Sequence, residues 1–161
     1  MTTPPRTPRT HADAVDASAH TSADAGIDAV AVERFYAAHM QLLDDGAATA
    51  WARTFTDDAT FAAPSMTEPV RGRDGIEAGA RAAVAGRAAA GEVHRHRVTM
   101  TVVRPAEDGA DAVSHVEILA TPRDGAPRIE LSCVMRDRLV RGNGALLVAE
   151  RVITRDDRPH G

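Results

Sequence analysis

Cysteine, lysine and aromatic side chains are scarce or missing from this 161-residue chain, and each shortage removes a class of protein. Cys133 is the single cysteine, so no disulfide can form within the chain, and the reducing cytoplasm is the simplest home. Aromatics make up 3% of residues, all 19 basic residues are arginines that form no stripe, and the net charge is -4. A nucleic-acid surface built on phosphate contacts and base stacking has little to work with there. No stretch approaches the roughly 20 apolar residues of a membrane helix. Arg6 and Arg9 are not followed by the apolar run of a secretory signal. Residues 1–26 carry almost no large apolar side chains and read as a disordered tail, since they cannot bury enough surface to offset ordering entropy. Residues 157–161 read as a short C-terminal tail. The remaining 27–156 suffice for one domain with its own core.

That domain begins with helical periodicity. Val32, Tyr36, His39 and Leu43 share one face of a helix expected over 27–44, which ends at Asp44-Asp45-Gly46. A second helix over 47–54 carries Trp51, and a strand is expected to begin at Thr60-Phe61, with Asp57-Asp58 shaping the turn before it. After a loop with Pro64 and Pro69, a third helix is expected over 76–90, with Asp74 as N-cap, a Glu77–Arg81 pair on its wet face and Gly91 as its stop. Its dry face, Ile76, Ala80, Ala83 and Val84, is small. From there the period changes to two. Strands are expected over 93–103, 112–121, 128–140 and 145–154, joined by proline- and glycine-bearing hairpins. Helices first and an antiparallel meander afterwards make an α+β layout.

Several polar residues fall on faces that should point inward. His94, His96, Val98, Met100 and Val102 alternate along the more apolar face of the first long strand. In the next, His115, Glu117 and Leu119 lie opposite Ser114, Val116 and Ile118, and alternation alone does not choose between the faces. Strands covered on both sides suggest a homodimer packed across the sheet. His39, Asp44, His96 and His115 could therefore converge between the first helix and the sheet. An imidazole beside a carboxylate is suited to general acid–base catalysis. His94, His96 and His115 as metal ligands are the competing reading, but the surroundings lack the glycine-rich spacing and following glutamate of a cupin and helices precede the sheet, so no metal or cofactor is assigned. Cys133 reads as a small core hydrophobe, and Arg136-Asp137-Arg138 as a solvated or interfacial charge cluster.

The run Phe35-Tyr36-x-x-x-Met40-x-Leu42-Leu43-Asp44, the segment Ala50-Trp51-Ala52-x-x-Phe55-Thr56-Asp57-Asp58-Ala59-x-Phe61, then Val70-x-Gly72-Arg73-x-x-Ile76 and Val148-Ala149-Glu150-Arg151-Val152 resemble the nuclear transport factor 2-like superfamily. Within it they are most similar to the SnoaL-like polyketide cyclases and dehydratases, including accessory proteins of actinorhodin-type aromatic polyketide pathways. The resemblance implies a cone-like barrel of three N-terminal helices on a curved, mostly antiparallel sheet, enclosing an apolar pocket with cofactor-free proton chemistry. In dehydratases of this superfamily, an aspartate ending helix one pairs with a histidine early in the first long strand, which matches Asp44 and His96. A second pocket histidine matches His115, a hydroxyl position matches Ser132, and a pocket tyrosine is replaced by His39. Glu117 is the nearest acidic residue to an aspartate used by SnoaL itself.

These readings combine into one expectation: a cytoplasmic enzyme of aromatic polyketide or related secondary metabolism that cyclises or dehydrates an apolar or aromatic small molecule. His96, oriented by Asp44, would remove a proton alpha to a carbonyl, with His115 or His39 acting on the oxygen. Tyr36, Met40, Trp51, Phe61 and Met100 would line the walls, with Glu117 and Ser132 also at the substrate. The alternative is a non-catalytic member, either a ligand-binding or protective protein or a structural subunit similar to the small subunit of ring-hydroxylating dioxygenases.

Overall fold

The computed structural model describes residues 26–158. The expected tail over 1–26 lies, save for Gly26, outside the described residues, as do 159–161. Helix α1 (Ala29–Asp44) starts where the Asp28 carboxylate accepts a hydrogen bond from the Ala31 backbone N–H at 2.7 Å. Val32, Tyr36, His39 and Met40 form its buried face. The chain reverses at Gly46, whose φ of 80° suits a residue without Cβ. Helix α2 (Ala48–Ala52) is shorter than expected and ends before strand β1 (Phe55–Ala62). Asp57 and Asp58 are thus exposed residues within β1, not a turn before it, and Asp57 pairs with Arg73. A two-residue strand β2 (Val70–Arg71) follows the proline loop.

Helix α3 (Arg73–Ala90) starts earlier than the sequence suggests. Its N-cap is Gly72 with no side-chain cap, so Asp74 lies in the first turn instead of capping it. The other end is as expected, with Gly91 left-handed at φ 68°, and Arg81 donates to Glu77 at 2.8 Å. Four long strands complete the chain: β3 (Glu92–Ala106), β4 (Gly109–Pro122), β5 (Arg128–Gly142) and β6 (Ala145–Arg155). The sheet order is β2-β1-β6-β5-β4-β3, antiparallel except where β1 runs parallel to β6. The α+β layout holds, as a helix cluster on an open, curled sheet with β2 and β3 at its edges.

Two features of the sheet decide which side chains face the helices. The β3–β4 register shifts between Thr99 and Val102, a bulge at which Met100 takes a φ of 53°. His94, His96 and Val98 point inward before it, and Thr101 and Val103 after it, so Met100 and Val102 are turned outward. On β4 the inward row is Ala110, Ala112, Ser114, Val116, Ile118 and Ala120. Thr101 and Ser114 join their hydroxyls at 2.9 Å under α1.

Candidate functional site

A cavity of about 430 Å³ lies between α3, the end of α1 and the inner face of the sheet. The small face of α3 does not close onto the sheet as its size suggests: Gly75, Ile76, Gly79, Ala80 and Ala83 form one wall, with Val116, Ile118, Leu131, Met135 and Ile153 opposite. Small side chains on the helix leave room that larger ones would fill. Met40, Trp51 and Phe61 line this cavity, and residues 63–66 of the proline loop border it.

Asp44 and His96 meet at its α1 end. The His96 backbone N–H donates to Asp44 Oδ2 at 3.0 Å, and the ring Nδ1–H donates to Oδ1 at 2.6 Å. Both side chains are largely withdrawn from water, at 8% and 10% exposure. The carboxylate thereby fixes the hydrogen on Nδ1 and leaves the Nε2 lone pair without a protein partner among the described residues. His96 faces the cavity on one side and, on the other, a polar groove between α1 and β3 that Tyr36, Met40, Asp44 and Met100 also line. Met100, 75% exposed, therefore belongs to the groove and not to the apolar walls.

His39 is placed differently from its expected role. It is 1% exposed and touches neither the cavity nor the groove. Its Nε2 accepts from the Trp51 indole at 3.1 Å and from Arg151 Nη1 at 2.8 Å. Both are obligatory donors, so Nδ1 carries the hydrogen and donates to Thr54 Oγ1 at 2.7 Å. Burial first, then the Arg151 guanidinium, holds its pKa well below the ordinary 6.5. A depressed histidine favours the neutral form in the fold, so its contribution to stability is full above the unfolded value and declines as pH falls below it. His39→Gln keeps an acceptor and a donor but cannot titrate. Urea denaturation at pH 7.5 and 5.5 is therefore expected to show the variant's deficit narrowing at the lower pH, by up to about 1.4 kcal/mol per unit. A deficit equal at both values would mean that folded His39 takes up the proton.

The other expected pocket residues on the sheet face away from the cavity. His115 is exposed, Glu117 on the same side pairs with Arg97 at 3.2 Å, and Ser132 is exposed and donates to Asp156. The two faces of β4 differ little in polarity, and burial separates them: Ala112, Ser114 and Val116 are buried, whereas His115 is exposed. Consequently His94, His96 and His115 do not converge.

In their place the cavity has a buried arginine. Arg151, 2% exposed and lining the cavity, donates from Nε to Asp137 Oδ1 at 2.8 Å and from Nη2 to Oδ2 at 2.6 Å. Tyr36 donates its hydroxyl to the same carboxylate at 2.9 Å, and burial, with Asp137 beside it, pushes the phenol well above its usual range. Asp137 is thus a buried ion-pair member, not part of a solvated cluster. Its signal was its place in the alternating row Leu131, Cys133, Met135, Asp137, Leu139, directly across the sheet from Arg151. Of the five guanidinium hydrogens, Asp137 and His39 take three, leaving one each on Nη1 and Nη2.

The SnoaL-like domain profile matches residues 27–152. The chain belongs to the SnoaL-like family. It is 40% identical to Aln2 from a Streptomyces species, over 80% of this chain and 90% of that one, with a TM-score of 0.73. It is 32% identical to ActVI-ORFA from Streptomyces coelicolor, over 81% and 96%, with a TM-score of 0.75. A Catenulispora acidiphila protein solved in complex with S-DNPA is 32% identical over 80% and 92%, with a TM-score of 0.70. No curated protein sequence matches this one. Among the described residues no helix is long and apolar enough to cross a membrane.

Proposed function

We propose that this SnoaL-like chain is a cyclase or dehydratase that acts by enolising an apolar, ring-bearing ketone without a cofactor. The observation that carries this reading is the Asp44–His96 pair, whose imidazole lines an apolar cavity with Nε2 unpartnered among the described residues. Nε2 takes the proton alpha to a carbonyl, and the electron pair moves onto the carbonyl oxygen. The remaining Arg151 hydrogens suit that oxygen, held in place beforehand by Asp137 and His39. The enolate carbon then either attacks a second carbonyl and closes a ring, the new alkoxide taking the proton from His96, or expels a β-hydroxyl that receives that proton as water leaves. Met40, Trp51 and Phe61 hold the apolar body.

Similarity to polyketide-pathway neighbours such as ActVI-ORFA supports aromatic polyketide metabolism as the setting. The protein would act in the cytoplasm as a homodimer joined through the outer sheet face, where Val93, Val102 and Ile129 are exposed. Sedimentation equilibrium tests the last point, and a monomer across micromolar concentrations would reject it.

The deciding experiment is a panel of aromatic polyketide ketones in deuterated water, followed by NMR. Deuterium entering the alpha carbon with wild type, and not with Asp44→Asn, is the expected result. Binding across the panel with neither exchange nor turnover would instead make the protein a carrier.

A further inference from the structure

Apart from the Asp44 carboxylate, which is held by His96 at the α1 end without lining the cavity, the charged side chains there are all of one sign. Arg87, Arg151 and Arg155 line it together with His96, and no aspartate or glutamate does so among the described residues. Two of the arginines are already neutralised. Arg151 is clasped by Asp137, and Arg155 donates to both carboxylate oxygens of Asp157 at 2.8 and 2.6 Å. Arg87 is different. It is half-buried in the last turn of α3, and its partner is a neutral one, the Leu43 carbonyl, reached by Nη2 at 3.2 Å. The carbonyl end of α1 offsets part of the cost of withdrawing this cation from water. A guanidinium with an open fork on an apolar wall is still an incomplete ion pair.

We infer that Arg87 reads a carboxylate on the ligand, so that the cavity takes ring-bearing apolar acids in preference to their neutral counterparts. One planar guanidinium fork matches one planar carboxylate. A phosphate dianion would find too few donors here. Leu43 directly precedes Asp44, so the ligand's carboxylate would lie at the end of the cavity that holds the Asp44–His96 pair. Its apolar body would then extend along Ile76, Val116 and Ile118 toward Phe61 and Trp51. The volume of about 430 Å³ falls within the roughly 300–1,000 Å³ typical of small-molecule pockets. This inference names the substrate class of the cavity proposed above and rests on that cavity being a ligand site, not on turnover.

The test uses the full chain and the emission of Trp51, the single tryptophan, which stands in the cavity wall. Anthraquinone-2-carboxylic acid and its neutral carboxamide are titrated at neutral pH. The acid is expected to bind about tenfold or more tightly than the amide. In Arg87→Gln that ratio falls to near one while amide binding persists, which shows the cavity intact, and Arg87→Lys keeps part of the preference. Equal binding by wild type, no binding of either compound, or a ratio that survives in Arg87→Gln would overturn the inference. An acid preference without any ketone turnover would remove the catalytic reading and leave the carboxylate site standing. Turnover without an acid preference would do the reverse.

Discussion

A His96→Ala protein is expected to fold like wild type and to turn over its ketone about 10²-fold more slowly, or worse. The fold survives because Asp44 Oδ2 still accepts the backbone N–H of residue 96, and the lost ring is partly open to two concavities. Turnover suffers because no other imidazole faces the cavity among the described residues: His39 is enclosed by Thr54, Trp51 and Arg151, and His115 is on the far side of the sheet. Asp44→Asn is the sharper variant. Its side-chain oxygen must still accept the backbone N–H, so its NH₂ turns toward His96 Nδ1 and donates. Nδ1 then keeps its lone pair, the hydrogen moves to Nε2, and the cavity faces a donor where a base is required. Both variants should lose deuterium exchange at the alpha carbon as well as turnover, with thermal midpoints near wild type. Undiminished exchange in folded His96→Ala would remove His96 as the base.

How much of this was legible beforehand follows from the range of the signals. Asp44 and His96 could be read because each depends on a local pattern, a helix that ends at a glycine turn and a strand that alternates. The same alternation failed at Met100, since the bulge between Thr99 and Val102 contains no glycine or proline to mark it, and one inserted residue turns the rest of the row over. It failed at His115 because polarity is a weak guide when both faces of a strand carry apolar residues. The small residues at 110, 112, 114 and 120, all buried, were the better signal, since they mark the face that the rest of the chain covers. Ser132 and Glu117 were carried over by resemblance onto the outer face. The pairing of Arg151 with Asp137 could not be read because it exists only across β5 and β6, and a charge triplet in one strand resembles any solvated edge until its partner is in register.

That pair carries the largest expected effect on stability. Replacing Asp137 by alanine leaves the Arg151 guanidinium, 2% exposed, with no counter-charge and takes from the Tyr36 hydroxyl its carboxylate acceptor. Breaking a buried pair from one side costs about 3–5 kcal/mol, because the remaining charge still bears its full desolvation. Against a total stability of about 5–15 kcal/mol, that is enough to bring the domain close to unfolding at room temperature. Urea denaturation of Asp137→Ala is the measurement, and a loss under about 1 kcal/mol, the worth of an exposed pair, would mean that water reaches the site after all. The double replacement Asp137→Leu with Arg151→Met separates architecture from chemistry. With neither charge present, much of the lost stability should return, although Tyr36 loses the Asp137 carboxylate and His39 keeps only Thr54 and Trp51. Turnover should not return with it, since the hydrogens offered to the carbonyl oxygen belong to Arg151. A double variant that regains both would reduce the pair to a structural device and leave His96 to act without help at the oxygen.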